Sequence, residues 1–237
     1  MSTVQFCNVT HVINRAGKRT DILRNVTLEV PVATLALVGE SRMATGAVID
    51  LLCRKAVPKH GHLLFAGTLS WPIGHPGPFS IAVTGTQALS HFATLYGIDR
   101  ALYIDFMKAE FAAPWLLNTP MAKWPKDLVE QFNALAVLVP GFDLYIVDGN
   151  LVWPNDSAFT RQFLNLFNRR REGKTTLITV RQARALHTLC SGALVIADQT
   201  LTVQADLAEA LKISNRINLA PVTDTADRDD TDDAMFL

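Results

Sequence analysis

The chain has 237 residues, long enough for one sizeable domain or for a core with a small inserted lobe. Hydrophobic residues make up 49% and charged residues 19%, so a well-buried core is expected and global disorder is not. Lys+Arg and Asp+Glu number 22 each, and a formal charge of zero gives no ground for a nucleic-acid or anionic-membrane partner.

In chain order, Val4 to Val9 and Asp21 to Val30 read as β-branched, alternating strands joined through the polar turn Asn14-Arg15-Ala16-Gly17-Lys18. Val32 to Val38 is a continuous apolar run, the pattern of a strand buried on both faces. It ends at Gly39. After a short loop, Ala47, Val48, Ile49, Leu51 and Leu52 predict a helix, so the order strand, Gly39, helix marks the place of a phosphate-binding loop in a parallel α/β sheet. His62 to Phe65 is a short strand, and the Gly/Pro-rich passage Trp71-Pro72-Ile73-Gly74-His75-Pro76-Gly77-Pro78-Phe79 reads as loop. Helical periodicity dominates from Gln87 to Trp115 and from Asp127 to Val139, which predicts an α-helical middle lobe over about residues 85–140.

Leu144 to Val147 predicts a second buried strand ending at Asp148. Phe159 to Arg171 comes next as an amphipathic helix, Thr175 to Val180 as a strand, and Ala183 to Cys190 as a helix. Ala193 to Ala197 and Leu201 to Val203 read as a closing hairpin. The folded domain is expected over 1–220. From Asp224 onward come six aspartates with only Arg228 among them, so 221–237 is read as a solvated, disordered acidic tail.

The cysteines Cys7, Cys53 and Cys190 are odd in number, widely spaced and preceded by no signal-peptide pattern, which favours reduced, cytosolic thiols. Apolar runs are too short to span a bilayer, so membrane contact is expected only through a partner. His60-Gly61-His62 has a metal-like spacing but no cysteine or carboxylate beside it, so no metal is expected there. Trp71, Trp115, Trp124 and Trp153 are scattered, which suits core or interface better than a base-stacking platform.

This order of elements resembles the ATP-binding subunits of ABC transporters, and more narrowly those that export capsular polysaccharide. Four passages carry the resemblance over about residues 4–205. Ser70-Trp71-Pro72-Ile73-Gly74 with Phe79 is similar to that subfamily's Trp-Pro loop, and Thr84-Gly85 through Leu95-Tyr96-Gly97 to one of its helices. Phe142 to Asp148 is similar to its Walker B strand, and Thr175 to Cys190 to its switch strand and the helix after it. The implied fold is α/β, a P-loop NTPase-like nucleotide-binding domain with an N-terminal antiparallel β subdomain and an inserted α-helical subdomain. Such domains work in pairs, with ATP between the phosphate loop of one and the signature loop of the other, and they drive a membrane permease.

Against that pattern the nucleotide residues are degenerate. The phosphate loop G-x-x-x-x-G-K-[ST] closes backbone N–H groups on phosphate, supplies a cation and offers Mg²⁺ a hydroxyl. Here it reads Gly39-Glu40-Ser41-Arg42-Met43-Ala44-Thr45-Gly46, with Thr45 in place of the lysine and Gly46 in place of the magnesium ligand. Losing one charge-assisted partner typically costs about 1.5–3 kcal/mol, so losing both is expected to weaken binding by roughly two to four orders of magnitude. Arg42 is read as a solvated loop residue, or else as a phosphate ligand in a remodelled loop. The adenine-stacking aromatic is matched by Ile13. The signature loop is matched by Trp124-Pro125-Lys126-Asp127-Leu128, which has neither Ser nor Gly, and Asp127 is read as an N-cap. Asp148 is kept, but Gly149 stands at the catalytic glutamate and Arg181 at the switch histidine.

No catalytic residue is therefore expected, and no cofactor, with ATP and Mg only if residual binding persists. The resemblance implies an ABC permease as partner, docked on Trp71, Pro72, Ile73, Gly74 and Phe79, at the cytoplasmic face of the inner membrane. A homodimer, or a heterodimer with an intact ATP-binding subunit, stays open. So do three readings of function: a pseudo-ATPase docking or regulatory subunit, a weak ATPase aided by an intact partner, and a detached scaffold. The second suffers because both the phosphate loop and the signature loop are altered, which would leave both composite sites of a pair half-broken.

Overall fold

The structure, a computed structural model, describes residues 4–15, 17–74, 77–148, 157–179, 186 and 188–218. Gly149, Arg181, Trp153, residues 180–185 and 187 of the predicted switch region, and the acidic tail lie outside the described residues.

The first sheet has the order β2-β1-β4, all antiparallel, from β1 (Val4–Arg15), β2 (Lys18–Val30) and β4 (His60–Phe65). Its strands outrun the sequence reading because bulges between Phe6 and Val12 let the pattern change phase. Val4 and Phe6 point to the core, and then Val9 and His11 do, one residue out of step with strict alternation. Asn8 and Asn25 take the left-handed conformation at these kinks. Each is bracketed across the strands by a threonine: Thr27 Oγ1 donates to Asn8 Oδ1 at 3.0 Å and Thr10 Oγ1 to Asn25 Oδ1 at 3.1 Å. Gly61 sits over the bulge at φ +75°, where a Cβ would lie 2.3 Å from the carbonyl oxygens of Cys7 and Asn8. Only glycine fits there. His60 and His62 both project from this edge strand into solvent, and no cluster of metal-ligating side chains occurs among the described residues.

The second sheet has the order β5-β6-β3-β7-β8, parallel except for β8. Its strands are β3 (Thr34–Gly39), β5 (Leu144–Asp148), β6 (Thr175–Thr179), β7 (Gly192–Ala197) and β8 (Thr200–Gln204). The unbroken apolar runs Leu35–Val38, Leu144–Val147 and Ala193–Ile196 are buried, as parallel strands covered on both faces must be. Helix α1 (Arg42–Leu52) joins the first sheet and one face of the second in one core. On the other face lie α5 (Ser157–Arg171) and the helical lobe. The sequence reading missed a last helix, α6 (Leu207–Asn218), although Asp206 caps it by accepting from Ala208 N and Glu209 N and its Leu207 and Ala210 are buried.

The lobe comprises α2 (Gly85–Tyr96), α3 (Arg100–Glu110), two 3₁₀ turns (Pro114–Asn118 and Met121–Lys123) and α4 (Lys126–Leu138). The single helical stretch expected from Gln87 to Trp115 is divided at Gly97, which takes φ +63° and stops α2 before Asp99 caps α3. At the start of α2, Thr84 and Gln87 form a reciprocal capping box. The lobe is held by rings: Phe132, fully buried, meets Phe79, Phe111 and Trp124 at 5.7, 5.6 and 5.2 Å between centroids. Tyr103, also buried, donates its hydroxyl to Ala136 O at 2.8 Å. Trp124 is thus a core residue, whereas Trp115 is 74% exposed.

One exposed charge cluster ties the lower edge of the second sheet. Asp143 accepts from Lys174 Nζ at 2.8 Å and from Thr68 N at 2.9 Å. These two bonds, the lysine's first, hold its carboxyl below the ordinary carboxylate range. A depressed acid stabilises the fold above its unfolded pKa of about 3.9 and loses that contribution as pH falls through the folded value. Asp143→Asn should therefore melt lower than wild type at pH 7, with the gap closing as pH drops from about 4 toward 2. A gap that stays constant across that window would show the pairing adds no proton linkage.

Candidate functional site

The carboxyl-terminal ends of the parallel strands bring together Gly39 from β3, Asp148 from β5 and Thr179 from β6. This is the edge where open α/β sheets bind ligands. The residues Gly39 to Gly46 are placed there as the sequence predicts, but their conformation is not that of a wrapping loop. Helix α1 starts at Arg42, so Arg42, Met43, Ala44, Thr45 and Gly46 are already helical. Ser41 is the N-cap: its Oγ accepts from Ala44 N at 3.1 Å, and its carbonyl accepts from Thr45 N at 3.1 Å and Thr45 Oγ1 at 3.2 Å. Two backbone donors of the phosphate loop are thereby spent inside the chain.

The turn is also filled. A Cβ on Gly39 would lie 2.6 Å from Thr45 Oγ1, so the threonine side chain sits directly on the glycine. Glu40 is fastened to the β7–β8 turn, its N donating to Ile196 O at 3.2 Å and its Oε1 accepting from Asp198 N at 2.9 Å. Arg42 is exposed. Asp148 is half-buried and held twice, by Thr179 Oγ1 donating to its Oδ1 and by its own N donating to Ile73 O at 2.8 Å.

At the signature position, Trp124 is buried and Pro125 stands at the N-cap of α4 without a capping side chain. Asp127 is not the cap that the sequence suggested. It lies in the first turn, exposed, where it favours the helix dipole. Because Pro125 occupies the cap, the chain enters the helix in an extended conformation (φ −55°, ψ 139°) with no hydroxyl or glycine at its start. Ile13 is half-buried in β1 opposite Thr20.

The Trp-Pro passage is only partly loop. Leu69 and Ile73 bridge in parallel to Leu144 and Val147, so this segment lines the free edge of β5. Ser70 N donates to Leu144 O and Ile73 N to Ile146 O, both at 2.9 Å. Pro72 has no N–H to offer, and Ile73 N takes the Ile146 carbonyl in its stead, while Ser70 Oγ accepts from Ile146 N at 3.0 Å. The bulge leaves Trp71 half-buried, Pro72 and Ile73 buried and Gly74 exposed. Across from it stands one face of α4. Between them opens a cleft of about 400 Å³, lined on the loop side by Trp71, Ile73 and Phe79 and on the helix side by Val129, Asn133 and Val137. The five residues singled out for docking, Trp71, Pro72, Ile73, Gly74 and Phe79, all line this cleft. The part that sequence missed is the α4 face, whose residues recur at helical spacing and read only as part of the helical lobe.

No family model matches the chain. The polysialic acid transport ATP-binding protein KpsT of Escherichia coli is 22% identical over 191 residues, 79% of this chain and 85% of its own length. Among solved structures, the ATP-binding subunit of an ABC transporter superposes with a TM-score of 0.73 at 14% identity, covering 92% of this chain and all of that one. A dimeric ATP-binding cassette in a post-hydrolysis state, bound to ADP and phosphate, gives 0.69 at 13% identity over 86% of this chain and 98% of its own. The chain has the α/β fold of ABC-transporter ATP-binding domains, and in sequence it is similar to a polysialic acid transport ATP-binding protein.

Proposed function

We propose that the chain is a catalytically degenerate ABC ATP-binding subunit, acting by docking or regulation in polysaccharide export across the inner membrane. It sits at the cytoplasmic face through a permease, paired with a second copy or an intact ATP-binding subunit. The observation that carries this reading is the early start of α1. A phosphate loop needs free backbone donors around a cavity. Here Ser41 takes the N–H groups of Ala44 and Thr45, and Thr45 occupies the space over Gly39. The replaced lysine and magnesium ligand at Thr45 and Gly46 act in the same direction, as do Gly149 and Arg181 in sequence. Among the described residues no helix is long and apolar enough to cross a membrane.

The test is calorimetric. Millimolar Mg-ATP should produce no melting shift and no phosphate release, whereas a ligand at 100 times its Kd would stabilise by about 2.7 kcal/mol. A saturable shift would overturn the reading and make Arg42 a phosphate ligand.

Docking has its own test. Trp71→Ala and Phe79→Ala should each reduce recruitment to membranes carrying the export permease, by about thirtyfold if the ring is an anchor worth roughly 2 kcal/mol. Phe79 also packs on Phe92 and Phe132, so melting curves must accompany the recruitment assay. If both variants stay folded and still reach the membrane, the detached-scaffold reading takes over.

A further inference from the structure

The corner formed by the end of α1, the turn after it and β4 gathers charge of one sign. Between Asp50 and Phe65 come Arg54, Lys55, Lys59, His60 and His62, and no further acid. All five are exposed, and Arg54, Lys55 and Lys59 form no ion pair among the described residues. Arg54 stands four residues after Asp50, yet it leaves the helix in the left-handed conformation (φ +57°) and lays its guanidinium 4.7 Å over the Phe65 ring. Lys55 Nζ stands 6.0 Å from the centre of the Trp71 ring.

Apolar surface is mixed with these charges. Val57 is 84% exposed and Leu64 49%. β4 also ends the order of its sheet, so its outer edge carries no further strand among the described residues. Uncompensated cations, exposed aliphatic side chains and an open strand edge suit an acidic segment that carries some apolar residues.

The chain itself contains one. Residues 224–237 hold six of the 22 acidic residues and one of the 22 basic ones, so this stretch carries −5 and the rest of the chain +5. The formal charge of zero is a balance between two parts of opposite sign. The stretch places its six aspartates between Asp224 and Asp233, and Met235, Phe236 and Leu237 follow them. Helix α6 ends at Asn218, and the chain from there to Asp233 can span about 50 Å, against a radius of gyration of about 17 Å for a folded domain of this size. Reach sets no obstacle.

We propose that residues 224–237 dock on this corner, the aspartates against Arg54, Lys55 and Lys59, and Met235, Phe236 and Leu237 against Val57 and Leu64. Through Lys55 the corner borders Trp71, so under the docking role proposed above the segment is an intramolecular competitor at the edge of that surface. The contact itself does not depend on that role.

The experiment keeps the full chain. Its acceptor is a variant in which Asp224, Asp227, Asp229, Asp230, Asp232 and Asp233 are all changed to Asn, which frees the corner. A fluorescent peptide of residues 222–237 is titrated into this variant and into wild type. At low salt the variant should bind it with a Kd of about 100 μM, and wild type about tenfold more weakly, because the tethered segment competes at an effective concentration of about 1 mM. Binding should weaken at least about fivefold when the salt is raised from about 50 to about 300 mM. Adding Arg54→Gln, Lys55→Gln and Lys59→Gln to the variant should abolish it. Adding Arg100→Gln, Arg161→Gln and Arg169→Gln, equally exposed cations elsewhere, should change it less than about twofold. Melting curves accompany each form; if Arg54 proves necessary for the fold, Lys55→Gln with Lys59→Gln should still cost about fivefold. Equal losses from both sets of substitutions would mean that the peptide follows net charge and not the corner. Absence of binding to the Asn variant up to millimolar peptide would mean that no such contact exists. Either result overturns the proposal. So does binding of the Asn variant to phosphatidylserine vesicles that the corner substitutions abolish and the peptide fails to displace, since the corner would then be a lipid face.

Discussion

A variant carrying Ala44→Gly, Thr45→Lys and Gly46→Ser is expected to gain saturable Mg-ATP binding that wild type lacks, with no turnover above background. The lysine supplies the missing cation, and the serine the missing magnesium ligand. Taken by themselves these would restore roughly two to four orders of magnitude in affinity. The structure predicts less. To wrap a phosphate, the first turn of α1 must unwind, breaking the Ser41 cap on Ala44 N and the Ser41 carbonyl's bond from Thr45 N. A cap is typically worth about 0.5–2 kcal/mol, so one to three orders of net gain is the expected result. A glycine at position 44 lowers the cost of unwinding by about 1 kcal/mol, which is why it belongs in the set. Removing Thr45 also clears the space over Gly39. Turnover should stay absent because hydrolysis needs a positioned water and a partner's donors, and the α4 entry offers a proline cap instead. Binding is read from the melting shift with nucleotide, turnover from phosphate release. Appreciable release would mean that the replacements at Gly149 and Arg181 matter less than their chemistry suggests.

Phe132→Ala should destabilise the protein by about 3–5 kcal/mol, the range for deleting a buried ring and leaving a cavity. For a chain of this size that corresponds to a fall in melting temperature of about 10 °C. Phe132 has no exposed surface and lies against Phe79, Phe111 and Trp124, which come from the docking segment, the end of α3 and the start of α4. Its loss therefore loosens both walls of the cleft, and membrane recruitment should fall along with stability. Phe132→Leu, which keeps most of the volume, should cost less than half as much and keep recruitment. A cost below about 1 kcal/mol for the alanine variant would show that the lobe is not held by these rings.

The sheet framework was legible in the sequence wherever burial leaves a periodic trace. Val32 to Val38 and Leu144 to Val147 read as buried strands because a parallel strand covered on both faces is apolar throughout, and Thr34–Gly39 and Leu144–Asp148 are found in the second sheet. Ala193 to Ala197 reads as half of a closing hairpin, and it pairs antiparallel with β8 and parallel with β3. The ABC order came from those runs and from Trp71-Pro72, Asp148 and Gly39 at their ends. The helical lobe was legible for the same reason, though its break at Gly97 was read through. The substitutions at Thr45, Gly46, Gly149 and Arg181 are sequence facts that no structure was needed to find.

Tertiary structure decided what those segments do with their hydrogen bonds. Residues 39–46 carry no periodicity strong enough to predict where the helix begins. The start at Arg42 depends on the Ser41 hydroxyl finding Ala44 N, and on Glu40 reaching Asp198, 158 residues away. The Trp-Pro segment reads as loop because proline and glycine break local patterns, yet Ser70 supplies the acceptor that lets it pair with β5. Strand lengths in the first sheet exceeded the reading because bulges shift the alternation by one, and that shift is held by threonines on the facing strands. The cleft is the clearest case. Its two walls, at Trp71–Phe79 and Lys126–Val137, are about fifty residues apart in the chain, and the first reads by itself as a docking loop while the second reads only as helix. A surface made of two distant segments exists only once the fold has brought them together, because sequence periodicity reports which side of one element is buried and not what stands opposite it.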